Sequence, residues 1–309
     1  MNMLIMNIRL KMGVLSLALI LSFASCKKSE VNESLTIGSY SEKNAASVAA
    51  KPGSGTPVIN WVTAMDGTSF ENYSSLESSW NYLYPWGSDH NGSARMYASS
   101  TDHSQLYIES AGILTIKATR VPETEGLSSH DPHLPIRYHS GAVHSKTQVV
   151  INDQYDAWEV SGDFKAPITG STWPAFWITG AYSWPPESDI LEFKGSNVCW
   201  QNTADGPDWT NVGWETTKTT VADALANWHN YKVVMARLKS RNGAWTNNVK
   251  CEYYIDGVLK GTHTGTNFFN QTFNIIINLQ MEGSSGSSGP LSDTFYYAKN
   301  IVVKKGKIQ

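Results

Sequence analysis

Alternation of apolar and polar residues dominates the chain from Trp61 onward, and its period of two is that of β-strands. In the runs 114–118, 158–162 and 231–235, every second residue is apolar or small. The run 275–277 is apolar at every position, which is typical of a central strand covered on both faces. The pattern predicts many short strands and very little helix.

Turn-forming residues separate these runs. Asp256-Gly257 lies between two strand-like stretches and supplies the positive φ angles of a two-residue hairpin turn. The Gly- and Ser-rich run 283–289 predicts a loop, and only 221–228 suggests a short helix. Because a single sheet cannot bury both of its faces, the predicted fold is all-β. We expect a β-jelly-roll sandwich of two antiparallel sheets, with a substrate cleft on the concave face.

The N-terminal segment has a different character. Residues 1–25 combine two basic residues with an apolar run that is too short to span a bilayer, which predicts a cleaved signal peptide. Ala24-Ser25-Cys26 resembles the bacterial lipobox and predicts that Cys26 is lipidated, although ordinary cleavage after Ser25 is the alternative. We therefore expect an exported protein anchored by lipid to the bacterial outer membrane, on its periplasmic or its surface side.

Residues 26–56 are rich in Ser, Asn, Ala and Lys and show no apolar periodicity, so they predict a flexible tether. The folded domain should then span 57–309. Cys199 and Cys251 would be its two cysteines, either paired or free in an oxidising compartment.

Composition narrows the class of protein. The chain has 24 Lys and Arg against 27 Asp and Glu, a net charge of −3, 41% hydrophobic residues and 12 Trp. A binder of nucleic acid would carry a basic surface, and a disordered chain would lack this apolar content. We expect a folded monomer that binds no nucleic acid.

Three acidic residues, Glu187, Asp189 and Glu192, lie in an apolar, strand-like stretch flanked by tryptophans. In a regular strand Glu187 and Asp189 share a face and Glu192 points to the other. A β-bulge between Asp189 and Glu192 would bring all three to one face, and bulges are frequent beside active sites. The carboxyl groups of Glu187 and Glu192 would then be about 5 Å apart, as in retaining glycosidases.

Charge crowding suggests the role of each acid. Three adjacent carboxylates cannot all ionise at low cost, so one should stay protonated near neutral pH. We assign Glu187 as the nucleophile, Glu192 as the acid that later acts as the base, and Asp189 as the assisting group between them. The alternative is a solvated strand edge with scattered acids, but unpaired acids seldom occupy so apolar a segment.

The segment resembles the bulged Glu-x-Asp-x-x-Glu motif of glycoside hydrolase family 16, which carries nucleophile, assisting aspartate and acid/base in that order. Ser188 replaces the usual aliphatic residue and should face away from the cleft. The resemblance spans 57–309 and extends to the segments 140–145, 228–231, 254–257, 277–279 and 297–303. It implies a β-jelly-roll and retaining, endo-acting cleavage of β-linked glucans or galactans. It also implies that no cofactor is required and that a structural calcium ion binds the convex face.

Aromatic residues near the acids are candidates for sugar binding. Trp173 and Trp177 share a strand face, Trp184 precedes the acidic strand, and Trp200 follows it. By the resemblance, such tryptophans form platforms that stack on sugar rings, while core packing is the alternative for each of them. His144, on a strand near the predicted cleft, is a further candidate for a sugar contact.

Two other groups have plainer interpretations. Trp158 and Trp228 are expected to pack in the core. The stretch 130–133 holds two histidines on either side of an Asp-Pro pair, without a further ligand cluster, and is expected to be a polar loop. No metal site is predicted from it.

The sequence around Glu192 resembles the galactan-active branches of the family more than the common β-1,3-glucanases. The predicted function is therefore a retaining endo-β-galactanase acting on a polysaccharide. A laminarinase-like endo-β-1,3-glucanase and a non-catalytic surface glycan-binding lipoprotein are the alternatives. A sulfated algal galactan would favour a basic cleft, for which Arg95, Arg137 and Lys194 are candidates.

Overall fold

The structure, a computed structural model, describes residues 58–109 and 112–309. The predicted signal peptide (1–25), the lipidated Cys26 and the tether (26–56) lie outside these residues and stay predictions. Within the described ranges, no helix is long and apolar enough to cross a membrane.

Eighteen strands make up most of the described chain. In chain order they are β1 (Ile59–Asp66), β2 (Trp80–Tyr82), β3 (Ala94–Met96), β4 (Leu106–Glu109), β5 (Ile113–Arg120), β6 (Tyr138–Ser140), β7 (Ala142–Ser145), β8 (Val149–Val150), β9 (Ala157–Lys165), β10 (Thr172–Gly180), β11 (Glu187–Glu192), β12 (Val198–Asp205), β13 (Gly213–Thr220), β14 (His229–Lys239), β15 (Trp245–Ile255), β16 (Val258–Gly265), β17 (Thr272–Met281) and β18 (Thr294–Ile308). A helix, α1 (Tyr73–Ser79), and a 3-10 turn (Gly283–Ser285) accompany them.

The strands form two sheets. The ten-stranded sheet has the order β16-β15-β14-β9-β18-β5-β6-β3, with β1 beside β18 and β4 beside β5. The eight-stranded sheet has the order β13-β12-β11-β10-β17-β7-β2, with β8 beside β17. All pairs are antiparallel except β3 with β6. The predicted all-β jelly-roll sandwich is confirmed.

The hydrophobic core lies between the two sheets. Phe164 of β9 and Phe176 of β10 come from different sheets, and their ring centres are 4.8 Å apart. Tyr231 and Tyr296 pack against Phe164 from neighbouring strands of the ten-stranded sheet. Burial of an aromatic ring of this size contributes about 2 kcal/mol. These contacts fix the eight-stranded sheet against its partner and leave its other face for the cleft.

Strand β10 is central in the eight-stranded sheet and is covered on both faces. Phe176 and Ile178 are fully buried in the core, whereas Trp173, Ala175 and Trp177 line the opposite side of the sheet. This explains why the strand is apolar at nearly every position. One face contributes to folding stability and the other to the site.

The predicted helix at 221–228 is wrong. These residues form consecutive turns in which Asn227 donates both its backbone N–H and its side-chain amide to Asp223. The other backbone bonds, from Ala224 to Val221 and from Ala226 to Asp223, span only three residues, and a window this short is costly to nucleate as an α-helix. The α-helix lies instead at Tyr73–Ser79, where the Asn72 side chain caps its first turn.

The two tryptophans predicted to pack in the core have different positions. Trp158 is only 4% exposed and its indole N–H donates to the carbonyl of Val150, which confirms the prediction. The prediction is wrong for Trp228, which is partly exposed, with the Lys299 ammonium 4.3 Å from its ring centre. Its position at the end of the 221–228 turns brings it to the surface.

The two cysteines of the domain are free and buried. Cys199 lies on β12 and Cys251 on β15, in different sheets. Burial raises the pKa of both thiols to about 12, so both are neutral at ordinary pH.

The predicted hairpin at Asp256-Gly257 is confirmed. The two residues join β15 and β16 with φ angles of 51° and 75°. Both angles lie in the left-handed region, which glycine adopts without strain.

Gly257→Ala is expected to lower the free energy of unfolding by about 1 kcal/mol, because alanine is strained at this φ. A Cβ at position 257 meets no atom within 4 Å, so the loss would be conformational. Urea denaturation would measure it. Gly170→Ala is the matched control, since Gly170 has equally open surroundings and no positive φ. Equal stability of the two variants would contradict the prediction.

Candidate active site

A β-bulge brings the three acids of β11 to one face of the eight-stranded sheet. Glu192 pairs with Ala175 of β10, and Asp189 pairs with Trp177, so β11 contains one residue more than β10 over this interval. The extra residue, Ile190, reverses the parity of the strand. The bulge predicted from the sequence is present, at the predicted place.

The same face forms a cleft of about 750 Å³. Acids line its floor and aromatic residues line its walls, which suits a ligand with both hydroxyl groups and apolar C–H faces. The principal lining residues are Trp86, His90, Trp173, Trp177, Trp184, Glu187, Asp189, Glu192, Lys194, Trp209, Trp214, Asn278 and Gln280.

Glu192 is held by three hydrogen-bond donors. The indole N–H of Trp173 donates to Oε1 at 2.7 Å, and the amide of Asn202 donates to Oε2 at 3.0 Å. The Lys194 ammonium lies 3.0 Å from the same Oε2. All three contacts bind the carboxyl oxygens of Glu192 and fix its orientation in the cleft.

Asn202 links two of the acids. It pairs with Asp189 in the register of β11 and β12, and its Nδ2 donates to Asp189 Oδ2 at 2.8 Å as well as to Glu192. The hydroxyl of Thr216 donates to Asn202 Oδ1 at 2.8 Å, which turns the amide nitrogen towards the acids. The sequence analysis did not assign Asn202 a role, because its importance depends on pairing between strands.

Glu187 and Asp189 are the acids that bind protons most strongly. Burial, together with the charge of Glu192, raises the pKa of Glu187 from 4.5 to about 8, against the opposing hydrogen bond from Trp184. Burial and the charges of both glutamates raise the pKa of Asp189 well above its ordinary value. Glu187 and Asp189 therefore tend to hold protons near neutral pH, as the crowding of charge predicts.

Three of the tryptophans proposed to bind sugar line the cleft. Trp173 and Trp177 are only 7% and 6% exposed, and their indole N–H groups donate to Glu192 and to Asn278 Oδ1. Trp184 is 39% exposed and presents more ring surface to a ligand. Trp173 and Trp177 thus hold polar groups of the site in position besides lining it.

The structure does not bring Trp200 and His144 into the cleft lining. Trp200 lies on the same sheet face but has the Lys218 ammonium 3.6 Å from its ring centre. His144 donates from Nδ1 to the carbonyl of Leu83 and accepts at Nε2 from Asn81. Because both ring nitrogens of His144 are already bonded, it has none left for a sugar hydroxyl.

Several residues of the cleft walls have no counterpart among the predicted residues. His90 stacks on Trp177 with ring centres 5.8 Å apart, and Trp86 meets the same ring edge-on at 6.1 Å. Trp209 and Trp214 line the other side and are largely exposed. For Trp86 and Trp209, which lie in loops, the available signal was a tryptophan outside the predicted strands, since loops commonly carry binding residues.

Of the three candidates for a basic cleft, only Lys194 lines it. Arg95 makes two hydrogen bonds to Asp89, at 2.7 and 2.9 Å, and Arg137 is paired with the buried Glu282. Both arginines are therefore neutralised by structural partners.

Ser188 faces the core, as predicted, and its hydroxyl lies 2.6 Å from that of Tyr253. In the 130–133 loop, His130 lines the cleft and His133 donates to the carbonyl of Ser128. The described part of the chain has no group of three His, Cys, Asp or Glu residues arranged to hold a metal ion. The structural calcium ion stays a prediction from the resemblance.

Comparison with known proteins places this arrangement in a class. No family model matches the chain. It is 36% identical over 265 residues to a galactan endo-β-1,3-galactanase of Flammulina velutipes, across 83% of this chain and 95% of that enzyme. It is 27% identical over 181 residues to the endo-1,3-1,4-β-glycanase ExsH of Rhizobium meliloti, across 57% of this chain and 34% of that protein.

Solved structures show the same fold. The endo-1,3-β-glucanase of Streptomyces sioyaensis superposes with a TM-score of 0.59 at 16% identity, covering 84% of this chain and all of that one. The laminarinase catalytic domain of Thermotoga maritima gives 0.56 at 17% identity, covering 81% and 99%. A non-specific endo-β-1,3(4)-glucanase of family GH16 gives 0.53 at 18% identity, covering 74% and 88%.

Fold and relatives together define a glycoside hydrolase, an endo-acting β-glycosidase. Within that class, the chain belongs to the family of the Flammulina endo-β-1,3-galactanase, on the fold of the GH16 glucanases. The alternative of a non-catalytic glycan-binding protein is thereby set aside.

Glu187→Gln is expected to stabilise the protein increasingly as pH rises from about 4.5 to about 8. Over this window the unfolded chain loses the Glu187 proton while the folded protein, whose Glu187 pKa is about 8, keeps it. Wild-type stability should therefore fall with pH, and the amide removes that cost. One unit of pKa corresponds to about 1.4 kcal/mol, so the gain should exceed about 1 kcal/mol at pH 8.

Thermal unfolding at a series of pH values would measure the effect, at roughly 2–4 °C for each kcal/mol. Glu123→Gln, at an exposed position, is the control and should give a difference that does not vary with pH. A pH-independent effect of Glu187→Gln would contradict the raised pKa of Glu187.

Proposed function

We propose that the protein cleaves β-1,3-linked galactan internally, with retention of configuration. The observation that carries this proposal is the 36% identity to a galactan endo-β-1,3-galactanase along almost the whole length of that enzyme. The glucanases of known structure share only 16–19% identity with the chain, which supports the fold and not the substrate. The proposed substrate therefore follows the galactanase, which is the more similar protein. The acid-floored cleft supports the chemistry.

In the first step, a carboxylate oxygen of Glu187 attacks the anomeric carbon while Glu192 donates a proton to the glycosidic oxygen. The bond to the leaving sugar breaks, and a covalent glycosyl-enzyme forms on Glu187. In the second step, Glu192 takes a proton from water, and the water oxygen displaces Glu187 from the anomeric carbon. Two inversions give net retention.

This sequence requires a proton to change place when substrate binds. Burial raises the pKa of Glu187 to about 8 and that of Asp189 well above its ordinary value, so both favour a proton near neutral pH. The reaction needs an ionised Glu187 and a protonated Glu192. The amide of Asn202 donates to both Asp189 and Glu192 and so fixes Asp189 beside the acid/base. We assign Asp189 a positioning role.

The first test measures new reducing ends from β-1,3-galactan, laminarin and mixed-linkage β-glucan. Wild type is expected to cleave the galactan, and Glu187→Gln and Glu192→Gln should each lower kcat by about 10³-fold or more, since each removes a group that acts on the reacting atoms. Glu123→Gln should be unaffected. Cleavage of laminarin without galactan would instead make the protein a β-1,3-glucanase.

The second test identifies the nucleophile and the stereochemistry. A 2-deoxy-2-fluoro-β-galactobioside with an activated leaving group should accumulate as an adduct, which peptide mass spectrometry should place on Glu187. Proton NMR of fresh hydrolysis should show the β-anomer of the product first. A label on Glu192 would reverse the two roles, and an α-anomer as the first product would contradict retention.

A further inference from the structure

Two lysines lie against Trp200 beside the Glu192 end of the cleft, and one of them, Lys194, lines the cleft. Lys194 follows Glu192 by two residues, contacts its Oε2 at 3.0 Å, and lies 4.9 Å from the ring centre of Trp200. Lys218 pairs with Trp200 across β12 and β13, and its ammonium is 3.6 Å from the same ring centre. Two positive charges and one indole therefore share this end of the sheet.

Structural ion pairs do not account for these two charges. Lys218 makes no salt bridge with any acid in the described part of the chain, and the acid paired with Lys194 is Glu192, which the reaction uses. Arg95 and Arg137, by contrast, are neutralised by structural acids. In a chain with more acids than bases, a lysine without an acidic partner beside the cleft favours a negatively charged ligand there.

The contact between Lys194 and Glu192 also conflicts with the chemistry proposed for Glu192. A general acid must reach the glycosidic oxygen through one of its carboxyl oxygens, but the Lys194 ammonium lies against Oε2 and the Trp173 indole N–H against Oε1. Removing the ammonium from Oε2 would relieve this conflict. A negative group on the substrate, placed near Lys218, would attract the Lys194 ammonium away from Glu192.

We propose that Lys194, Lys218 and Trp200 form a subsite for an acidic substituent of the galactan, the carboxylate of a uronic acid or a sulfate ester. The subsite takes the sugar on the Glu192 side of the cleaved bond, with Lys218 holding the anion. Lys194 moves from Glu192 to the anion and leaves Glu192 Oε2 free to reach the glycosidic oxygen. This proposal rests on the proposed galactanase function and adds a class of substrate to it.

The test compares kcat/KM for β-1,3-galactan oligosaccharides of equal length that are unsubstituted, glucuronate-bearing or sulfate-bearing. At low salt, wild type should prefer at least one acidic oligosaccharide by about tenfold, a preference that salt should reduce because the lysines are partly open to solvent. Lys218→Met should lose about fivefold to tenfold on that oligosaccharide and less than twofold on the neutral one. Lys117→Met, on the other sheet, is the control and should change neither.

Lys194→Met gives a second readout. It should remove the preference mainly through kcat, because Lys194 acts through Glu192, whereas Lys218→Met should act mainly through KM. The glucuronate and sulfate arms identify which acidic group the subsite takes.

Absence of any preference in wild type, or an equal loss by Lys218→Met on neutral and acidic oligosaccharides, would overturn the subsite. If wild type cleaved none of the oligosaccharides, the galactan proposal would be overturned instead. Calorimetric titration of Glu187→Gln with the same oligosaccharides would then decide the subsite. The subsite would be supported if Glu187→Gln bound an acidic oligosaccharide and the added substitution Lys218→Met abolished that binding. Absence of binding to Glu187→Gln would contradict the subsite.

Discussion

The site depends on one inserted residue in one strand. Without the bulge at Ile190, Glu192 would point into the core, and Glu187 and Asp189 would face the cleft without it. With the bulge, three carboxyl groups meet on one face, and the neighbouring strands must accommodate them. Trp173 from β10 and Asn202 from β12 do so by donating hydrogen bonds from both sides. The pairing of β10, β11 and β12 is therefore a chemical requirement as well as a structural one.

Burial of these acids opposes folding stability and supplies their reactivity. The raised pKa values of Glu187 and Asp189 mean that the folded protein resists placing full charge on the floor of the cleft. The cost is tolerable because the other face of the same sheet is fixed by dense aromatic packing, such as Phe176 against Phe164. A rigid sandwich can hold like charges close together that a softer scaffold would let separate.

Local signals made part of this structure predictable. The turn at Asp256-Gly257 follows from the φ angles that two residues require, and the bulge follows from the parity of three acids in an apolar strand. The helix prediction at 221–228 failed because the segment is too short to nucleate an α-helix and closes into turns whose backbone bonds span three residues. His90 and Trp86 escaped prediction because their place beside Trp177 depends on how a distant loop folds over the sheet. His144 failed for the opposite reason, since its neighbours satisfy both ring nitrogens.

The division between strands and periphery explains how one scaffold serves different glycans. The strands that carry the acids belong to a fold shared with β-glucanases at 16–19% identity, so this fold alone does not select a sugar. Selection must come from side chains at the rim, where loops and edge strands supply Trp86, His90 and Trp214. Lys194 is the exception, because it lies two residues after Glu192 and contacts it directly. A residue at this position connects substrate recognition with proton transfer. Any ligand that draws the Lys194 ammonium away also removes its contact with Glu192 Oε2.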